Sequence, residues 1–253
     1  MKNKTVILVA VRLKSQRLKK KALLKLYKKP LIMQLTDRIK KSHLSSEVIW
    51  CTSINRGDDE LERLGKKNKI KVFRGSEKDV MSRFILAAQK FGTKNIVRVT
   101  GDNPLTDPEV IDFLIKKHIK NKNDYTCCNS IPIGTRSEVI NLQMLKRCHQ
   151  LLEDPNSSEY MTWMLDRPDY FKTQDVVFPK KKINRSKISL TIDSHNDYKN
   201  ISLIYNHFKE KIPSLEKIIE WIDTQPKLRS KLTRIKKNKK ISKKINFKFK
   251  SDY

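Results

Sequence analysis

Residues 5–11 form an unbroken apolar run rich in β-branched side chains, the signature of a buried strand. Helical periodicity follows at 30–43, where Leu31, Leu35 and Ile39 share one face and Pro30 opens the first turn. Strands are expected at 47–52, 70–73 and 95–99, and helices at 58–68 and 79–91. Leu61 and Leu64 mark the apolar face of the first of these helices, and Ser76 with Asp79 can cap the second. Asp107-Pro108-Glu109 then starts another helix, with Asp107 as N-cap and Pro108 in the first turn.

Strand and helix alternate throughout this half. That order predicts an α/β fold with a mostly parallel sheet covered on both faces, in three layers. Ligands of such sheets bind at the carboxyl ends of the strands, so chemistry is expected just after Val11, Thr52, Phe73 and Val99. The second half is less regular. Strands are expected at 124–128, 136–140, 171–178 and 187–192, the last ending at Asp193, and helices at 142–152, 160–165, from Asp193 to about 208, and 214–223. Residues 130–185 look like a small α+β insertion. The pattern divides the chain into a domain at 1–225 and a lysine-rich tail at 226–253, where Leu228, Leu232 and Ile235 have the spacing for at most one more short helix.

Composition changes this picture in one respect. The 253 residues carry 56 Lys and Arg against 27 Asp and Glu, a formal charge of +29. Such a field attracts phosphates of any kind: nucleic acid, an anionic membrane surface or acidic small molecules. The abundance of Lys, Asn and Ile with little Gly also fits a compositional bias of the genome. No run approaches the ~20 apolar residues of a membrane span. With no cleavage site after the first apolar run, a cytoplasmic protein is expected. Cys51, Cys127, Cys128 and Cys148 form no CxxC pair and no zinc spacing, so they are read as reduced thiols.

Four segments carry candidate chemistry. The loop from Arg12 to Lys21 leaves the first strand with two arginines, a serine and several lysines, suited to neutralising a leaving pyrophosphate, and it lacks the Walker frame. Thr100-Gly101-Asp102-Asn103-Pro104 ends the fourth strand on a glycine turn that can present a carboxylate to Mg²⁺. Asp193 is either a second metal carboxylate or only the cap of the next helix. Phe73 to Arg83 is a strand, a glycine turn and a helix start, an anion or base-edge site or a plain cap.

In chain order these segments resemble a known family. Ala10-x-Arg12-x-x-Ser15-x-Arg17-Leu18-x-x-Lys21 is similar to the cytidylyltransferase signature, and Lys29-Pro30-Leu31 to the motif that opens its next helix. Arg74-Gly75-Ser76-x-x-Asp79-Val80-x-x-Arg83, Arg98-Val99-Thr100-Gly101-Asp102-x-Pro104-Leu105, Pro132-x-Gly134, Glu138-Val139 and Leu190-Thr191-x-Asp193 follow. The likeness spans about residues 4–208 and is nearest to the spore-coat-polysaccharide cytidylyltransferases, relatives of the enzymes that make CMP-Kdo and CMP-nonulosonates. It implies a nucleotide-diphosphosugar-transferase (Rossmann-like) fold, CTP as donor, an acidic sugar as acceptor, Mg²⁺ as cofactor and a homodimer formed through the insertion. Carried over, Ala10, Arg12, Ser15, Arg17, Lys21, Ser76, Asp79, Arg83 and Thr100 bind nucleotide. Asp102 and Asp193 hold the metal, and Arg17, Lys21 and Asp102 are the catalytic set. Arg136, Glu138 and Glu159 face the acceptor.

The sequence departs from the family at Lys14, where Gly is usual, and at Lys19-Lys20 in place of Pro-Gly. Ser158-Glu159-Tyr160-Met161-Thr162 lacks the family's usual histidine, and Arg136 is an added charge in a segment usually more acidic. Rival readings stay open: a phosphorylated or phosphonate acceptor, a non-catalytic relative suggested by Lys14, Lys19 and Lys20, or, from the +29 charge, a nucleic-acid or membrane-surface binder. No nucleic acid partner and no membrane insertion are expected, with at most weak contact between the tail and an anionic surface.

Overall fold

The computed structural model describes residues 4–209, 211–233 and 248–250; the side chains of Ser157 and Glu159 also lie outside the description. The first run becomes strand β1 (Thr5–Ala10). After it come a two-residue hairpin, β2 (Lys25–Leu26) and β3 (Lys29–Pro30), and helix α1 (Leu31–Ile39). The βα alternation continues with β4 (Val48–Ser53), α2 (Asp59–Lys67), β5 (Lys71–Gly75), α3 (Val80–Lys90), β6 (Asn95–Thr100) and α4 (Pro108–Asn121). Strands β7 (Tyr125–Cys127) and β8 (Glu138–Asn141) follow, then α5 (Leu142–Leu151), α6 (Met161–Leu165) and β9 (Thr173–Asp175). Helices α7 (His195–Phe208), α8 (Leu215–Asp223) and α9 (Pro226–Leu232) complete the domain.

Seven strands form one sheet in the order β5-β4-β1-β6-β8-β7-β9. All its pairings are parallel except those of β8, which runs against both neighbours. The chain first builds outward from β1 through β4 to β5, then returns to lay β6 on the other side of β1. The gap between β1 and β6 is therefore a topological switch point, where loops diverge and leave a crevice. Both sheet faces are covered, as the alternation requires. Ile7, Val9, Trp50, Val97 and Val99 face α1, α2, α4, α7 and α8. Val6, Leu8, Ile49 and Ile96 face α3, α5 and α6.

Caps set the helix starts. Asp107 Oδ1 accepts the N–H groups of Glu109 and Val110, with Pro108 at the first position, as its sequence predicts. Its other oxygen takes Arg38 of α1 at 2.9 Å and the Leu215 N–H of α8 at 3.1 Å. Arg38 also donates to the Thr106 and Pro213 carbonyls. This buried pair thus has its hydrogen bonds met, and it ties three helices beneath the β6 loop.

Two expectations need correction. Residues 187–192 are extended but do not join the sheet. Their hydrogen bonds go to loops and to α9: Leu190 N–H to Ile133 O, Ser189 N–H to Leu232 O, and Ile192 N–H to Asp102 O. The domain also does not stop at 225. Leu228 and Leu232 of α9 are buried in the main core and back this same extended segment. Further on, Phe249 packs edge-on against Tyr170 at 4.8 Å, and Lys250 N–H bonds the Leu151 carbonyl. The intervening residues 234–247, with Ile235, lie outside the described residues.

His118 is buried in α4, with Nδ1 3.0 Å from Thr126 Oγ1 and no partner for Nε2 among the described residues. Burial pushes its imidazole down to about 4, partly offset by Asp124. Between that value and the ordinary 6.5, the unfolded chain binds the proton and the folded one does not. Stability should therefore fall by on the order of 3 kcal/mol as pH drops from 6.5 towards 4. In urea melts across that window, His118→Gln should show a shallower pH slope than wild type. Truncation after Gln225 should cost on the order of 4 kcal/mol, or about 10 °C in Tm, from the two exposed leucine sites. Truncation after Thr233 should cost less than half of that, because α9 is kept.

Candidate active site

The crevice at the β1–β6 switch point gathers residues from three separate loops. Gly101 places the β6 loop directly against the end of β1: its N–H bonds the Ala10 carbonyl at 2.8 Å. A Cβ there would lie 2.9 Å from Val11 Cβ, so the approach depends on glycine. Asp102 follows, and its own carbonyl accepts the Ile192 N–H at 3.0 Å, which draws the 187–192 segment alongside. Gly134, at φ +87°, lets the Leu190–Thr191 backbone pass where any side chain would collide with it.

Asp193 thereby arrives next to Asp102. The helix that follows is capped by Ser194, whose hydroxyl and Asp197 form a capping box. Asp197 Oδ2 also accepts the N–H of Asp193 at 3.1 Å. The cap thus belongs to Ser194, and the Asp193 carboxylate points to the crevice. There Lys21 Nζ sits 3.0 Å from Asp102 Oδ2 and 3.4 Å from Asp193 Oδ1, with its side chain 16% exposed. Arg17 reaches Asp193 at 3.5 Å from a largely exposed position. Four sequence-predicted residues are thus linked in one chain of ion pairs, from Arg17 through Asp193 and Lys21 to Asp102.

The rest of the basic loop is fixed from below and from the side. Leu13 N–H donates to Asp58 Oδ1 at 2.7 Å, and the same buried carboxylate takes the N–H and hydroxyl of Ser53 at the end of β4. Lys14 pairs with Glu77 at 3.0 Å, and Glu77 also accepts from Asn55. These contacts, with help from nearby Arg12, hold the Glu77 carboxyl below its ordinary range. The loops after β1, β4 and β5 are therefore joined on one carboxylate. Ser15 is half-buried within this loop, and Arg12 is exposed. Of the two lysines that replace glycine, Lys14 has no positive φ, whereas Lys20 stands at φ 47° in the left-handed region and pairs with Glu60. Sequence reasoning missed Asp58, because Arg56-Gly57-Asp58-Asp59 shows only an ordinary helix start.

Other predicted residues are engaged structurally. Asp79 caps α3 by accepting the Ser82 N–H, and it also takes Ser158 Oγ at 3.1 Å and lies 2.7 Å from His149 Nε2. Ser76 Oγ accepts the Asp79 N–H, and Arg83, buried under Gly75, donates to the Ser76 carbonyl. These three build the β5–α3 turn rather than project from it. Thr100 Oγ1 accepts from Asn103 inside the β6 turn. Arg136, expected to face an anionic acceptor, spends its guanidinium on Asn129 and the Ile131 carbonyl of its own loop. Glu138 pairs with Arg98 at 2.7 Å and accepts Thr162 Oγ1 at 2.6 Å, linking β8, β6 and α6. The Glu159 side chain lies outside the described residues.

Among the described residues no group of three or more His, Cys, Asp or Glu has the arrangement to hold a metal. The four cysteines are free and buried, and burial pushes the thiols of Cys51 and Cys148 up to about 12. No described helix is long and apolar enough to cross a membrane.

The cytidylyltransferase family model matches residues 6–231, nearly the whole described domain. This chain belongs to the cytidylyltransferase family. It is 31% identical over 215 residues to the spore coat polysaccharide biosynthesis protein SpsF of Bacillus subtilis, covering 83% of this chain and 89% of that one. It is 28% identical over 188 residues to the 3-deoxy-manno-octulosonate cytidylyltransferase of Chloroherpeton thalassium, covering 73% of this chain and 70% of that one. The fold matches a cytidylyltransferase from Leptospira borgpetersenii at a TM-score of 0.84 and 27% identity, over 92% of this chain and 99% of that one. The protein is a CTP-dependent nucleotidyltransferase. In this cytidylyltransferase, Lys21, Asp102 and Asp193 meet at the carboxyl end of the parallel strands.

The left-handed Lys20 gives a direct test of loop strain. An L-residue there costs roughly 1–2 kcal/mol, partly offset by the greater unfolded-state entropy of glycine. Its exposed pair with Glu60 contributes little. Lys20→Gly should therefore raise stability by about 0.5 kcal/mol, read as a Tm gain of about 1–2 °C in calorimetry. A lower Tm would show that the loop is not strained at this position.

Proposed function

We propose that the enzyme transfers CMP from CTP to an acidic sugar with release of pyrophosphate, in surface polysaccharide synthesis. The observation that carries the catalytic assignment is the convergence of Lys21 on Asp102 and Asp193. The acceptor class draws on the relatives SpsF and 3-deoxy-manno-octulosonate cytidylyltransferase. In this reading an acceptor hydroxyl attacks the α-phosphorus in line and pyrophosphate leaves on the opposite side. Arg17 and Lys21 take up the negative charge of the departing pyrophosphate, one as a forked donor and one as a mobile ammonium. The β1 loop, pinned through Leu13 to Asp58, holds these cations at the head of the crevice. No covalent nucleophile is called for, and the burial of all four cysteines is consistent with that.

Two carboxylates suit Mg²⁺, which is typically held by one or two carboxylates together with substrate phosphates and water. Asp102 and Asp193 would hold it. Bound there, the cation supplies Lewis-acid polarisation of phosphate oxygens. Ala10, Arg12, Ser15 and Thr100 border the nucleotide in this reading, while Ser76, Asp79 and Arg83 shape the turn beside it. Glu138 orders the acceptor half through Arg98 and Thr162. A homodimer through the 130–185 region completes the proposal.

Pyrophosphate release should require CTP among the four nucleoside triphosphates, together with a keto sugar acid from an acceptor panel. Asp102→Asn should abolish turnover with the fold intact by circular dichroism. Arg17→Ala should lower the rate by on the order of a hundredfold or more, whereas Lys19→Ala should have a far smaller effect. Equal losses at Arg17 and Lys19 would mean that the loop acts only as a diffuse positive field. Near wild-type turnover of Asp102→Asn at low Mg²⁺ would remove Asp102 from the metal site.

A further inference from the structure

Asp102 and Asp193 are carried on backbones that cannot retreat from each other. The first is fixed by the Gly101–Ala10 hydrogen bond and the second by Asp197, and the two strands of chain are joined through Ile192 N–H and Asp102 O. Two like charges so confined need a cation between them. In this arrangement the cation is the Lys21 ammonium, bonded to both carboxylates at 3.0 and 3.4 Å. The ammonium sits at the end of a flexible four-carbon stem and carries donors only, so it can be exchanged for another cation without rebuilding the backbone.

We infer that Lys21 is a stand-in for the divalent cation: it fills the space between Asp102 and Asp193 in the nucleotide-free enzyme and gives it up when a nucleoside triphosphate arrives. The inference rests on the reading of those two carboxylates as the metal ligands. A metal ion entering alone has to evict an ammonium that then has no counter-charge. A triphosphate, with about four negative charges, offers that ammonium a stronger partner and leaves the carboxylates open to a divalent ion. Arg17, which also rests on Asp193, is drawn the same way. Metal and nucleotide then bind with positive coupling, and each raises the affinity for the other by the same factor. Lys21 thus has two positions in one cycle, against the carboxylates first and against the phosphates afterwards.

The test uses Mn²⁺ alone as the probe, followed by electron paramagnetic resonance of the free ion, on full-length protein without nucleotide or acceptor. Wild type should bind Mn²⁺ weakly. Lys21→Met should bind it at least tenfold more tightly, although it loses transfer activity, and Lys21→Gln, which keeps a polar end, should do the same. Lys19→Met removes an equal charge from the same loop and should leave the wild-type affinity unchanged. Adding Asp102→Asn to Lys21→Met should abolish the gain. Unchanged affinity in both folded Lys21 variants would overturn the inference, as would an equal gain in Lys19→Met. A gain that survives Asp102→Asn and Asp193→Asn would instead overturn the assignment of those carboxylates as ligands.

Discussion

Two carboxylates brought side by side repel each other unless a cation lies between them, and much of this fold exists to bring Asp102 and Asp193 together. One stands at the end of β6 and the other at the start of α7, so no local propensity joins them. What joins them is backbone: Gly101 pressed on the end of β1, and the Ile192 N–H on the Asp102 carbonyl. At an effective dielectric near 20, opposite unit charges about 4 Å apart attract by roughly 4 kcal/mol, and like charges repel by as much. The β1 loop therefore has to be cationic, and its lysine has to reach inward.

The same demand explains features remote from the crevice. The 187–192 segment leaves the sheet yet stays extended because it is held on two sides, by Ile133 in the Gly134 turn and by Leu232 of α9. Helix α9 thereby supports the approach of Asp193 through the segment that precedes it. Below the β6 loop, Arg38 and Asp107 hold α1, α4 and α8 in register. A buried ion pair gives little net stability, but it leaves few alternative arrangements of those helices. On the other side of the crevice, buried Asp58 and partly exposed Glu77 do similar work, fastening the β1 loop to the loops after β4 and β5.

Much of this was legible in the residues. β1, β4 and β6 are runs of β-branched residues, and α3, α4 and α8 carry both a helical period and a polar cap, so local and global signals agree. The extended stretch before Asp193 has the same composition as a strand. Only its hydrogen-bond partners, which come from a distant turn and from α9, separate it from one. The β2–β3 hairpin was hidden because Tyr27 takes φ 55° at its turn, a conformation that glycine or asparagine normally announces. The spacing of Leu228 and Leu232 allowed a short helix at α9, but the lysines around it grouped it with the tail rather than with the core it joins. Asp102, Arg17 and Lys21 stood out because they lie in loops after sheet strands, where ligands of α/β folds bind, whereas Asp193 stood out because the segment before it has the composition of a strand. Arg136 could not be placed in that way: its charge is visible in sequence, but the direction of its guanidinium is decided by the Asn129–Ile131 loop.

Strand β8 alone runs against the sheet, and this reverses which end of it meets the crevice. Every other strand of the sheet delivers the loop that follows it; β8 delivers the loop that precedes it, residues 128–137, with Glu138 at the edge. The part of the cleft beside β8 is thus built by a connection that enters the strand rather than leaves it. That connection is tied to the rest of the crevice at two points: the Thr135 carbonyl accepts the Asp107 N–H of the β6 loop, and Ile133 with Gly134 holds the segment that carries Asp193. A sheet with one reversed strand is in this sense coupled: a change of length in the 132–135 turn would reach the Asp102–Asp193 pair through the backbone.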